Sequence, residues 1–517
     1  MKEFKKIKAI GLVSSILLSC SPFYKCEPAK AQSLTSSPPV STDLNLLQPS
    51  SNPLELPSKP EEVAEKKIIK ISLKQALDLA FKNNPQLQIV KKQLEQAKLA
   101  VGVAFASYYP TLSIGTTFNN SVSSSNSITQ NYYNNLYGAV GGNYAQSIST
   151  RSLFGYDVNG DPVYSSLSTL YSTPTSTFDT TISLNYTLFD SGRREGSLEQ
   201  AREQEKVASL QVDLQKQTLE LNTRNAYYDV QNSQAAISIA QDNLVHTQKS
   251  VQDTQALKDA GFATIADLLQ TQVQLNNAQQ QLVQAQGQLI NDQATLNQVL
   301  GVPEGVSVTA SDPIALVGTW NLSLEKTLIL AFEQRPELKQ QLAQKKISEA
   351  QKQVALSAVL PQVSIVAQSD LLKYVNSGGG SMVGLQNYWG GGYSLSAQAQ
   401  WNFFDGGAAE QNADSAEIGA KIAINQFSSY RYQIRQQVAQ SFTNWQINKT
   451  NFATAQEGVR LAQQSLNANR TRYNAGVGTE LDVITAIQSL NQSRLLLLTA
   501  TTSYNKAIAA LINAVGE

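Results

Sequence analysis

The sequence contains one passage twice. Ser72, Leu73, Leu77, Ala80, Phe81, Pro85, Leu87 and Pro110 recur 251 residues later as Ser323, Leu324, Leu328, Ala331, Phe332, Pro336, Leu338 and Pro361. A repeat at fixed offset restricts the fold to two like supersecondary units. From Phe189-Asp190-Ser191-Gly192, matched by Phe404-Asp405-Gly406-Gly407, the offset falls to 215 and holds as far as Gly301 and Gly516. The 36-residue difference therefore lies between Pro110 and Phe189.

Each unit reads as helix, strand, strand, helix. Ser72 and Gln75 have capping-box spacing, and a short helix follows to about Asn83-Asn84. Pro85 and Pro336 suit the first turn of a second helix, which Pro110 or Pro361 ends. Beyond those prolines the period becomes two. Leu112, Ile114 and Phe118 alternate with Ser113, Gly115 and Thr117, and Ile182, Leu184, Tyr186 and Leu188 alternate with Thr181, Ser183, Asn185 and Thr187. The second copy shows the pattern at Val363 and Ile365, and again from Tyr393 through Leu395, Ala397, Ala399 and Trp401 to Phe403. Each copy thus predicts one hairpin, with loops over 119–177 and 373–390 that differ in length and composition.

No proline interrupts Gly192–Lys258 or Gly407–Asn474, so each stretch predicts a continuous helix on the order of 100 Å long. Each ends at an Ala-Gly pair, Ala260-Gly261 or Ala475-Gly476, where glycine can close a helix in the left-handed conformation. Return helices start at Thr264 and Thr479. Leu268, Leu275, Leu282, Leu289 and Leu296 fall every seven residues, as do Val483, Leu490, Leu497, Tyr504 and Leu511, which is coiled-coil spacing. An ordinary antiparallel helical hairpin would show the same seam.

Residues 1–31 read as a signal peptide: Lys2, Lys5, Lys6 and Lys8, an apolar run from Ala9 to Leu18, then Ala29-Lys30-Ala31. Cleavage is expected after Ala31, with lipid attachment at Cys20 as the alternative. Cys20 and Cys26 both lie in that segment, so a chain cut after Ala31 has no thiol chemistry. His246 is the only histidine and reads as an exposed helix residue; no metal or cofactor site and no catalytic constellation is visible. Residues 1–31 hold six lysines against two acids, which leaves 34 basic and 38 acidic groups in the rest and argues against a nucleic-acid partner. Residues 32–67, rich in Ser and Pro, are expected to be a flexible leader, 68–301 the first repeat, 302–321 a linker and 322–517 the second repeat.

The strand runs match the roughly 9–11 residues that cross a bilayer, and apolar-out, polar-in alternation suits a water-filled barrel. Four strands cannot close one, and open edges are not tolerated in lipid. Two chains would leave little lumen, whereas three would give twelve strands, so a homotrimer is the economical count. A non-channel periplasmic adaptor or scaffold, using the coiled coils alone, is the alternative.

From about Ile71 to Gly516 the chain resembles the TolC family of outer-membrane factors. The duplicated helix-proline-strand order, the Phe-Asp-x-Gly entries at 189 and 404, and the Ala-Gly turns followed by Thr and Asp carry the resemblance. It implies a trimeric α/β barrel, mostly α with a transmembrane β part, in the cell outer membrane with a large periplasmic extension. It implies a passive exit duct for efflux or type I secretion, driven by an inner-membrane pump through a periplasmic adaptor. It also implies gate or selectivity roles for Asp267, Tyr473 and Asp482, beside the turn residues Gly261, Thr264, Gly476 and Thr479. Gly478 stands where the best-known members have a gate arginine, and Thr485 where they have a second lumen aspartate. Thr264 with Asp267 and Thr479 with Asp482 also have capping-box spacing, and the two roles can coexist.

Overall fold

A computed structural model describes residues 67–126, 170–376 and 387–517 throughout, with short pieces among 40–64 and 151–166. The expected signal peptide, with Cys20 and Cys26, lies outside the described residues, as do the centres of both long hairpin loops. The elements are β1 (Val40–Ser41), α1 (Pro60–Val63), β2 (Lys67–Ile71), α2 (Leu73–Asn83), α3 (Pro85–Ala106), β3 (Thr111–Asn126), β4 (Arg151–Tyr156), β5 (Pro162–Ser166) and β6 (Leu170–Phe189). They continue with α4 (Arg193–Asp259), α5 (Ile265–Leu300), β7 (Val306–Ala310), α6 (Leu324–Gln334), α7 (Pro336–Ser357), β8 (Gln362–Asn376), β9 (Asn387–Gln400), α8 (Ala408–Asn474) and α9 (Glu480–Val515).

The large sheet is antiparallel throughout, in the order β3-β6-β8-β9. Helices α3, α4, α7 and α8 pack side by side in the same order. Each strand therefore runs on into one helix, and these eight elements form a layer four lanes wide, sheet at one end and helices at the other. The Phe-Asp-x-Gly motif makes two of these junctions. The Asp190 carboxylate accepts from the Arg194 backbone N–H at 3.0 Å, and Asp405 accepts from Gly407 at 2.9 Å and Ala409 at 2.7 Å. Each carboxylate satisfies N–H groups that a helix start leaves unpaired. Gly192 and Gly407 take φ of +86° and +87°, which explains why both copies of the motif hold glycine at that position.

Below these junctions α4 and α8, 67 residues each, extend on and return as α5 and α9. Helix α9 is apolar and long enough to cross a membrane by composition, yet it packs on both α4 and α8, with half of its apolar window buried within the chain. The two copies superpose in sequence at the 215-residue offset throughout both hairpins, as the periodicity predicts.

Three expectations need correction. The stretch read as a flexible leader is partly tied down: β1 pairs in parallel with Ile68-Ile69, and Leu47 is fully buried, its carbonyl accepting from Asn83 Nδ2 at 2.7 Å. The linker 302–321 contains β7, which pairs in parallel with β2. These pieces are too short to show a period, which is why the pattern misses them. The remaining linker lies along α9, where Asn505 donates to the Ala315 carbonyl at 2.8 Å and Tyr504 to the Gly318 carbonyl at 3.0 Å. The strands, lastly, run 14–20 residues, and β9 stops at Gln400, short of Trp401 and Phe403. Gln400 faces Gln362, so the next position, Trp401, would face Pro361, which has no backbone N–H to give to the ladder.

Candidate functional site: a strand wall and two helical turns

Register assigns every side chain of the sheet to a face. Leu112, Ile114 and Phe118 on β3 share a face with Phe178, Ile182 and Leu184 on β6, Leu371 on β8, and Tyr393 and Leu395 on β9. Apart from the half-buried Leu184 these residues are exposed in the single chain, Leu112 by 73% and Tyr393 by 92%, so among the described residues nothing covers this apolar face. The opposite face carries Ser113, Gly115, Thr117, Asp179, Thr181, Ser183, Gln368, Asp370, Ser394, Ser396 and Gln398. There Asp370 accepts from Thr181 Oγ1 at 3.1 Å and Gln368 Nε2 at 2.8 Å. A mainly apolar face, interrupted by Thr116, Thr180, Ser369 and Lys373, and a mainly polar one, interrupted by Val366 and Leu372, is what a wall between lipid and water requires. Among the described residues strands β3 and β9 are each paired on one side only, so both edges of the sheet are open there.

At the other end of the molecule lie the two turns. Gly261 and Gly476 take φ of +81° and +72°, and their N–H groups donate to the carbonyls of Lys258 and Tyr473. Thr264 donates its backbone N–H to Asp267 Oδ2 at 2.8 Å, and the Asp267 N–H donates to Thr264 Oγ1 at 3.2 Å. Thr479 and Asp482 repeat this reciprocal pair at 3.0 and 3.2 Å. The hydrogen bonds from the Thr264 side chain and backbone hold the Asp267 carboxyl below its usual range, and those from the Thr479 backbone and side chain do the same for Asp482. Both aspartates are helix caps, one of the two roles left open by their spacing.

Tyr473 lies in the last turn of α8. Its hydroxyl is buried without a hydrogen-bond partner of good geometry, and burial together with the neighbouring Glu480 carboxylate pushes its pKa up to about 12. Glu480 itself, half-buried at the first position of α9, was not singled out in the sequence, because Thr-Glu-Leu-Asp reads as an acid-rich helix start whichever acid matters. His246 differs from its expectation as an exposed residue: it is half-buried, with Arg470 Nη2 at 3.5 Å from Nδ1, and burial and that guanidinium lower its pKa. At Gly478 a Cβ would stand 3.1 Å from the Tyr473 backbone nitrogen, so a side chain there is crowded.

The profile of the family described as outer membrane efflux protein matches residues 76–302 and 328–517, the two repeats. Outer membrane protein TolC of Salmonella enteritidis is 26% identical over 340 residues, covering 62% of this chain and 66%, just under two thirds, of the relative. Among solved structures, the outer membrane protein VceC of Vibrio cholerae aligns with a TM-score of 0.62 at 18% identity, over 86% of this chain and 96% of that one. The open state of the MtrE outer membrane channel of Neisseria gonorrhoeae aligns with a TM-score of 0.62 at 17% identity, over 91% and 96%. At such identities the structures show a shared fold. With both repeats matched by the profile, the chain belongs to the outer membrane efflux protein family.

Proposed function

We propose that this outer-membrane protein is one third of a passive export duct, assembled as a homotrimer and driven by an inner-membrane pump through a periplasmic adaptor. The observation that carries the reading is the four-stranded sheet, which among the described residues has one uncovered, mainly apolar face, one mainly polar face and two open edges. An edge left unpaired in lipid costs several kcal/mol for each stranded N–H or C=O, so β9 of one copy must meet β3 of the next. Closure after three copies gives twelve strands around a water-filled lumen. The helical lanes continue the wall into the periplasm. Pump and adaptor supply energy and cargo choice, for efflux, type I secretion or both, and the duct itself carries out no chemistry.

Within one chain β3 and β9 are three strand spacings apart, about 14 Å, beyond disulfide reach. A panel of cysteine pairs, one on β3 and one on β9, is therefore expected to cross-link only between chains, and to close as a covalent trimer on a denaturing gel. Dimers alone, or an open ladder of larger species, would reject three-fold closure. Purified protein is expected to conduct ions across a planar bilayer; a non-conducting soluble oligomer would favour a scaffold instead. At the turn end, Asp482 from three copies supplies negative potential at the constriction. Asp482→Asn is then expected to lower cation preference, and an unchanged reversal potential would remove Asp482 from the selectivity role.

A further inference from the structure

We propose that Lys373, flanked by Phe178 and Trp389, is a binding site for the anionic phosphate headgroup of an outer-leaflet lipid. The site rests on the reading of the sheet as a wall against lipid and adds to it one specific headgroup contact. Register places it. Phe118 of β3 faces Phe178 of β6, Phe178 faces Lys373 of β8, and Lys373 faces Trp389 of β9, so the four form one row across the mainly apolar face. Three are exposed aromatics, and the fourth is a lysine whose Nζ stands 5.1 Å from the centroid of the Trp389 ring.

The height of this row in the membrane follows from a second aromatic group. Trp401 and Phe403, their rings 6.1 Å apart, are exposed just beyond β9, where the sheet gives way to helix. Trp389 and Trp401 are twelve residues apart. At about 3.3 Å per residue that is about 40 Å along a strand, or about 30 Å across the membrane for a strand tilted by about 40°. The hydrocarbon core of a bilayer is about 30 Å thick, and barrels carry aromatic girdles at both of its boundaries. With Trp401 at the periplasmic boundary, on the side of the helices, the row of Lys373 lies at the outer one. A lysine facing lipid is tolerated there, whereas at mid-membrane it is costly.

The charge of Lys373 has no counterpart in the sheet. Among the described residues it is the only base in the four strands, and their two acids, Asp179 and Asp370, lie on the opposite face. Residues 377–386, which join β8 to β9, contain no acid either. The ammonium of Lys373 and the indole N–H of Trp389 are donors without acceptor capacity. At the depth of the headgroups the matching anion is a lipid phosphate, whose oxygens take charge-assisted hydrogen bonds from such donors. Phe178 and Trp389 add aromatic surface suited to a boundary that is apolar on one side and wet on the other. Free phosphate would leave that apolar half of the contact unused, so the surface matches a lipid.

The test reads lipid retention. The purified full protein is incubated in detergent with equal amounts of phosphatidylglycerol and phosphatidylcholine, and native mass spectrometry shows which lipid stays bound. The wild type is expected to retain the anionic lipid several-fold more than the zwitterionic one. Lys373→Gln and Lys373→Met, the latter apolar as a lipid-facing position prefers, are each expected to lose that preference, and Lys373→Arg to keep it. Inorganic phosphate at the same concentration is expected to leave the bound lipid in place. Equal retention of both lipids by the wild type, an undiminished preference in Lys373→Gln and Lys373→Met, or displacement by inorganic phosphate would overturn the site. Insertion into vesicles without lipid preference removes the site alone, whereas failure to insert into vesicles of either lipid refutes the wall and the site with it.

Discussion

The two repeats share a backbone and differ in how they are fastened. Helices α4 and α8 have equal length, and α5 and α9 also match, yet only the first repeat is bracketed by strands: β2 precedes it, β7 follows it, and the two pair in parallel. That small sheet covers a core in which Ile69, Ile71, Val308 and Leu47 pack on Ala226, Tyr227 and Val230 of α4. At the 215-residue offset the second repeat has Phe442 and Trp445 where the first has Tyr227 and Val230, and they pack on Trp320, Tyr504 and Ile508 with no sheet above them. A duplicated frame can thus diverge in stability without diverging in shape, since the coiled-coil seam sets the shape and the flanking segments add the clamp.

The largest expected effect breaks that clamp. Tyr227 is 1% exposed, and its hydroxyl donates to the Ile71 carbonyl and approaches Asp312 Oδ2, both at 3.0 Å. Tyr227→Ala removes a buried aromatic and strands the linker that Asp312 anchors, for a loss of about 3–5 kcal/mol. Phe442→Ala, at a half-buried site without hydrogen bonds, should cost about half as much. Urea midpoints of the detergent-solubilised protein measure both, and equal losses would mean that β2 and β7 add no clamp. Burial and the Asp312 hydrogen bond also raise the Tyr227 pKa to about 12. A raised pKa means stability that is complete below pH 10 and is lost as pH climbs towards 12. Tyr227→Phe should therefore flatten the alkaline limb of the stability profile.

A smaller contrast lies where each short helix meets the end of its return helix. In the first repeat Asn84 caps α3 and donates to the Val299 carbonyl at 2.9 Å. In the second, the equivalent Arg335 donates to the Asn513 carbonyl at 3.1 Å and pairs with Glu337 at 2.7 Å, both side chains largely buried. Removing one partner of a buried pair leaves the other uncompensated, so Arg335→Ala should cost about 3 kcal/mol and Asn84→Ala about 1. If the two losses proved equal, the ion pair would be solvated in the assembly.

How much of this the sequence discloses depends on periodicity. The long helices, the coiled-coil seam and the strand faces recur over many residues, and the structure places them where the period does. The Phe-Asp-x-Gly motif was legible as a repeat but not as a cap, because its chemistry depends on where the Asp190 and Asp405 carboxylates turn. Strands β1, β2 and β7 were illegible: two to five residues carry no period, and their partners lie far away in sequence. Of the candidate site, Asp267, Asp482 and Tyr473 were named by resemblance, while Glu480 was not, because its environment comes from α4 residues more than two hundred positions distant.

The smallest effects concern the two caps, and they test whether the tips are alike. Thr264→Ala and Thr479→Ala each remove one side-chain acceptor from a first-turn N–H, at about 1 kcal/mol of local helix stability. Hydrogen exchange of peptides covering 264–268 and 479–483 should accelerate by similar factors. Because both aspartates have depressed pKa values, their capping contribution is complete above pH 3.8 and fades as pH falls below it, in both hairpins alike. Capping alone makes Asp267→Asn and Asp482→Asn equivalent in every readout. A change in ion selectivity with Asp482→Asn and none with Asp267→Asn, at equal exchange rates, would separate the gate role of the second aspartate from the cap that both share.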